Sequence, residues 1–123
     1  ADLAEIYSAD AEYVPGTVVS FGGHQEVTKS ITPEDARVAG VISEKPSYLM
    51  NSGLNAEHRA AVALTGRVPT LVIGPVRKGD MMVSAGNGWA QACVTPAMGT
   101  VIGKALVNFD GDSGIIEIVV GRL

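Results

Sequence analysis

The stretch Val62-Ala-Leu-Thr-Gly-Arg-Val-Pro-Thr-Leu-Val-Ile-Gly-Pro-Val-Arg-Lys-Gly-Asp-Met-Met-Val-Ser-Ala85 decides how the chain reads. Two runs that suit strands, 67–73 and 81–85, flank a segment in which Pro75 presets φ and Gly79 supplies the positive φ of a tight turn. The expectation is a strand, a turn and a returning strand. No nucleophile stands beside a base here. Gly74 and Gly79 have the spacing of a phosphate loop, but Asp80 follows where Lys and then Ser or Thr are required. The stretch predicts architecture and no catalytic activity.

Working outward, Gly86-Asn-Gly88 is a turn, 89–94 alternates well enough for a strand, and Pro96 interrupts it. Residues 101–109 and 114–120 are the last two strands, joined by Asp110-Gly-Asp-Ser113, a hairpin signal because Asp-Gly takes left-handed φ/ψ cheaply. On the amino-terminal side, Pro15-Gly16 precedes the strand 17–21, with 24–29 as its partner and 37–43 as the next strand. Thr32-Pro-Glu-Asp35 predicts a single helical turn at most. Residues 47–61 read as an irregular loop, of the length that is often functional or interfacial. Residues 1–12 read as a terminal arm: Leu3, Ile6 and Tyr7 stand at helical spacing, but the segment is short for an independent helix. Its acids Asp2, Glu5, Asp10 and Glu12 read as a solvated lead-in.

Glycines and prolines, 15 and 6 of them, punctuate the chain as turns between short strands do. The expected fold is therefore one all-β domain over 1–123, a compact small barrel or clip-like β-sandwich of short antiparallel strands with at most one or two helical turns. At 12.7 kDa, folding should leave roughly 6,000 Å² exposed out of about 18,000 Å², enough burial for one core without disulfides or a structural metal. Hydrophobic residues make up 46% of the chain and aromatics only 5%, so that core must be built from small β-branched side chains. Its thin sheets suit a subunit interface.

Composition also excludes function classes. No apolar run of 18 residues predicts a membrane span, and the first residues have neither the basic nor the apolar part of a signal segment. A net charge of −4, with Lys and Arg scattered, argues against a nucleic-acid partner. The single Cys93 mildly favours synthesis in a reducing compartment, and its neighbours Ala92 and Val94 predict a small buried hydrophobe rather than a nucleophile.

Of the remaining candidates, Asp110 and Asp112 have calcium-loop spacing, but Glu117 comes too soon to be the bidentate ligand. His24 and His58 lack a second ligand at zinc spacing. Lys78-Gly-Asp80 imitates an adhesion tripeptide, yet any turn favours Gly and Asp there. Tyr7, Tyr13, Tyr48 and Trp89 are too dispersed to stack bases. No metal set and no cofactor motif is present, so no cofactor is expected.

Several blocks together carry a resemblance: Ala1-Asp-Leu-Ala-Glu5, Pro15-Gly-Thr-Val-Val19, Ala39-Gly-Val-Ile-Ser43 with Pro46, Ala63-Leu-Thr-Gly-Arg-Val-Pro69, Gly74-Pro-Val-Arg-Lys-Gly-Asp80 and Val101-Ile-Gly-Lys-Ala105. In this order they resemble the C-terminal domains of tailed-phage tail fibre, tailspike and virion structural proteins, marine phages especially, and the intramolecular-chaperone family with an auto-cleavage site. Position 6 departs from that family, with Ile where an aromatic is common.

The resemblance implies a trimerising, chaperone-like domain at the end of a fibre, made in the host cytoplasm and carried in the virion. Its partners would be copies of itself, with an upstream fibre segment of the same protein as a further partner. The resemblance also implies single-turnover self-cleavage just upstream of Ala1, with Asp2 and Glu5 as the candidate carboxylates, so that the chain, which opens without an initiator Met, would be a released product or a standalone relative. An alternative is a receptor-binding tip whose 47–61 loop contacts a host surface.

Overall fold

The computed structural model describes residues 1–121, and it is all-β, a small barrel with further strands beside it. The strands are β1 (Asp2–Ser8), β2 (Val18–Phe21), β3 (Val27–Lys29), β4 (Val38–Ile42), β5 (Tyr48–Met50), β6 (Arg59–Ile73), β7 (Met81–Gly86), β8 (Trp89–Ala92), β9 (Val101–Ala105) and β10 (Ser113–Val120). Exposed surface totals 6449 Å², close to the expectation from mass.

The 15-residue β6 organises everything else by changing partners at Gly66. Its first half pairs antiparallel with β1 over Arg59 to Gly66 and with β4 at Val62 and Ala63. Its second half pairs antiparallel with β10 from Gly66 to Ile73, and touches β8 in parallel at Val72. The path β6–β10–β9–β7–β8 returns to β6 and closes the barrel. The other strands, β5–β1–β6–β4–β2–β3, form the neighbouring sheet, and a parallel bridge from Ala9 to Val27 draws β3 back to the end of β1.

Pro69 is tolerated inside so long a strand because one side of β6 is free of strands there: β1 stops at Gly66 and β8 begins only opposite Val72. The Pro15-Gly16 turn covers that gap, with the Leu71 amide donating to Gly16 O (3.0 Å).

Two cores follow from the two halves. Val18, Val41, Val68, Val72, Val76, Met82, Ile116 and Ile118 are among those filling the barrel side. Val19, Val27, Ile42, Ala60 and Val62 belong to the second core, with Tyr7, Tyr13 and Leu64 packed against it. Met82 is the largest fully buried side chain, so the core is indeed one of small aliphatic residues.

The structure departs from the sequence reading in five places. First, 1–12 is no arm over its first part: Asp2–Ser8 is a strand between β5 and β6, its Asp2, Ala4 and Ile6 buried and its Leu3, Glu5 and Tyr7 half-buried, the period of two that helical spacing concealed. Second, 67–73 and 81–85 do not form a hairpin with each other. The intervening chain is held instead to the 105–109 segment, where the Val76 amide donates to Phe109 O (2.8 Å) and the Gly79 amide to Ala105 O (2.8 Å).

Third, the 110–113 turn does not join a full hairpin: β10 meets β9 only from Ile118 to Val120, while its whole length follows β6. Fourth, the irregular 47–61 segment contains β5 and the start of β6. Fifth, the strand expected over 101–109 ends at Ala105; 32–35 stays within its expected limit by making no helical turn, with Glu34 at a φ of 52°.

Candidate functional site

The start of β1 is held by backbone hydrogen bonds from two sides. The Arg67 amide donates to Ala1 O (3.1 Å), and the Ser47 amide donates to Asp2 O (2.9 Å). Gly66 lies across from Asp2 with a φ of 111°, and a Cβ there would sit 2.3 Å from Ala1 O and 2.7 Å from Asp2 Cα. Only glycine permits this approach and this φ together. The Ala1–Asp2 peptide is therefore held between β6 and the segment that leads into β5.

Asp2 is 9% exposed, and its Oδ2 is buried with no hydrogen-bond partner among the described residues. A carboxylate oxygen in that position gives up hydration without gaining a hydrogen bond in return. Beside it opens a cavity of about 240 Å³ lined by Ala1, Leu3, Ser47, Tyr48, Thr65 and Gly66 as well as Asp2 itself.

Glu5, the other expected carboxylate, is on the opposite face of β1, half-buried, and accepts from the Tyr7 hydroxyl at 3.4 Å. The strand's alternation thus separates the two acids, and they do not form a dyad. What remains is one buried acid beside a clamped peptide, with the hydroxyl-bearing Ser47 and Thr65 in the cavity wall.

A second polar cluster, not anticipated from sequence, lies at the far end of β1. Asp10 accepts from the Tyr13 hydroxyl and from Thr28 Oγ1 (2.7 Å). Burial pushes its carboxyl up, but those two hydroxyls, its own backbone amide and the nearby His24 outweigh it and hold the pKa below the ordinary value. Glu26 Oε1 accepts from both the amide (2.9 Å) and the hydroxyl (3.2 Å) of Ser8. These contacts tie β1 to β3 and leave no open reaction centre.

Asp35 is the other carboxylate with a shifted pKa. Burial raises it, while the Arg37 amide (2.9 Å), the Ser20 hydroxyl and the Arg37 guanidinium lower it by more. Its role is to brace the turn before β4.

The remaining sequence candidates resolve as turn and surface residues. Asp80 Oδ2 accepts from the Arg77 amide (2.8 Å), so Lys78-Gly-Asp80 is a braced turn. Asp110 pairs with Arg77 at 2.6 Å. His58 stands 4.0 Å from Glu57, and no group of three metal-ligating side chains occurs among the described residues. Cys93 follows β8 rather than lying within a strand; it is half-exposed, contrary to its expected burial, and its thiol donates to Glu34 Oε1 at 3.6 Å. Leaving the β8 ladder at Ala92 is what brings it to the surface.

Sequence reading did not single out where large apolar side chains come to the surface. Tyr48, Leu49 and Met50 of β5 are all exposed, and Val94 and Met98 in the loop after β8 are almost completely so.

The chain matches no known family model and no curated protein.

Proposed function

We propose that the chain is a structural and assembly module of a phage fibre or virion protein, a trimerising domain that works by burying surface against copies of itself. The observation that carries this reading is the distribution of apolar side chains. The core is built from Val, Ala and Ile, whereas Val14, Ile31, Val94, Met98 and Ile115 each stand more than half exposed. Where such side chains share one loop, as Val94 and Met98 do after β8, they offer a surface to be covered. The ordered blocks described above, from Ala1-Asp-Leu-Ala-Glu5 to Val101-Ile-Gly-Lys-Ala105, supply the phage context.

Light scattering over a dilution series tests the reading. A stable species of three chains, each of 12.7 kDa, is the expected result. A single chain at every concentration would overturn it.

A second reading, self-processing next to Ala1, is favoured by Asp2. Its buried, unpartnered Oδ2 adjoins the clamped Ala1–Asp2 peptide, a position from which one acid can serve a single intramolecular cleavage. The test is a precursor extended upstream of Ala1: cleavage abolished by Asp2→Ala supports the reading, and cleavage unchanged rejects it. The Glu5→Gln precursor is expected to process normally, because Glu5 faces away.

The third reading, a host-surface tip, draws on the exposed Tyr48, Leu49 and Met50 in the 47–61 segment. Binding to host cells that survives replacement of those three side chains would remove it.

A further inference from the structure

The most exposed apolar side chains are grouped. Val94 and Met98, 93% and 96% exposed, occupy one loop between β8 and β9. Thr100 fixes the end of that loop as a turn, its amide (3.3 Å) and hydroxyl (2.6 Å) both donating to Ala97 O, so that Met98 is held at the tip. A second loop stands against the first: the Cys93 thiol donates to Glu34 Oε1, and a Cβ on Gly99 would lie 3.7 Å from Ala36 O. That second loop carries Ile31, itself 73% exposed. Val94 and Met98 form an apolar knob edged by the Glu34 carboxylate, while Ile31, whose carbonyl lies against Gly86, stands apart from it.

Close by is a complementary hollow. Gly103, Lys104, Val119, Val120 and Gly121 line an open trough of about 390 Å³. Gly103 lies directly under β10, where a Cβ would come 2.0 Å from Val119 O, so no side chain at that position fills the trough. Along the outer face of β10 the trough ends at Glu117, which pairs with Arg67 at 3.7 Å. Lys104 is exposed on its rim, and neither Lys104 nor Glu34 has an ion-pair partner among the described residues.

The geometry points to a head-to-tail interface between copies of this chain, in which the knob formed by Val94 and Met98 of one copy seats in the Val119 trough of the next and its Glu34 meets Lys104. This rests on the self-assembly reading and gives that reading its surface.

Three features select a second copy as the occupant. Knob and hollow are both apolar and both present on every chain. Their charges are opposite, Glu34 at the knob and Lys104 at the trough, so seating one in the other brings unlike charges together. The two surfaces are also neighbours, since Gly99 at the base of the knob and Gly121 at the trough line one shared cavity. Adjacent, unlike surfaces on one side of a protomer are what a cyclic trimer needs around its axis.

The experiment is light scattering from micromolar to several hundred micromolar on wild type, Met98→Asp, Val119→Asp and an equimolar mixture of the two variants, with Tyr48→Asp as a control on β5. All three positions are exposed, and unchanged far-UV circular dichroism confirms that the variants fold. Each of Met98→Asp and Val119→Asp should raise the concentration of half-assembly by about tenfold or more. Tyr48→Asp should leave it unchanged.

The mixture is the decisive arm. One variant retains a sound trough and the other a sound knob, so together they should form a two-chain species that neither forms alone. A wild-type trimer that survives both substitutions would overturn this interface and leave self-assembly standing, as would a mixture that stays single-chain while the trimer is lost. Wild type remaining a single chain throughout would overturn both.

Discussion

At Gly66 one atom's worth of space decides the fold. Its φ of 111° and the 2.3 Å that would separate a Cβ from Ala1 O leave no room for alanine, and the obstacle is backbone. Gly66→Ala should therefore cost about 3 kcal/mol or more, measured by urea denaturation, because strain and the loss of the β1 clamp act together. Asp2 behaves in the opposite sense. Removing its orphaned Oδ2 with Asp2→Ala should raise stability by about 1–2 kcal/mol in the same assay, a gain expected only where a buried polar atom has no partner to lose. A residue that destabilises the fold in this way is the usual mark of function exchanged for stability. Asp10 and Asp35 contribute to the loss of stability in acid. Both are held below the ordinary carboxylate value in the folded state, so the unfolded chain binds more protons as pH falls. Their contribution is complete above the unfolded carboxylate range, near about 4, and disappears as pH drops through the folded values. Thermal melts of Asp35→Asn should show lower stability at neutral pH and a shallower loss on acidification than wild type.

Among the elements, β6 shows what a sequence exposes and what it hides. The all-β class, the position of most strands and the small-residue core were legible, because β-branched runs broken by Gly and Pro leave few alternatives. Partner choice was not. Nothing local in 81–85 says that it pairs with β8 and β9 instead of β6, since pairing is fixed by long-range packing and not by the turn between the strands. The amino-terminal strand was concealed for a different reason: three apolar residues at helical spacing outweighed a two-residue alternation only seven residues long. The candidate site was half legible. Asp2 was reached through the resemblance of Ala1-Asp-Leu-Ala-Glu5, whereas its burial and its separation from Glu5 depend on which face β1 turns toward the sheet. The same scale explains Phe109. Its ring packs over Gly74, Gly111 and Gly114, where added Cβ atoms would fall 3.0, 2.6 and 2.8 Å from ring carbons. Three glycines shaped around one half-buried ring brace the turn that leads into β10, whose whole length β6 holds, and Phe109→Ala should cost about 2 kcal/mol with the 109–114 turn losing amide-exchange protection before the rest of the barrel.

For the whole molecule, the balance between core and surface leads to a thermodynamic test that needs no substitution. A fold that buries small Val and Ala side chains while exposing Ile31, Val94 and Met98 leaves apolar surface that another chain can bury. If three chains supply that burial to one another, unfolding converts one particle into three, and mass action makes stability depend on total concentration. A tenfold increase in concentration is then worth ~0.9 kcal/mol per chain, two thirds of the 1.4 kcal/mol that a tenfold change in an equilibrium constant represents. For a chain of this size that amounts to a rise in Tm of roughly 3–5 °C per decade. Calorimetry at about 5, 50 and 500 µM should show that rise in wild type and a much smaller one in Met98→Asp, whose substitution touches nothing in either core. A Tm independent of concentration in wild type would overturn self-assembly as a source of stability, because unfolding of a trimer into three separate chains carries that dependence.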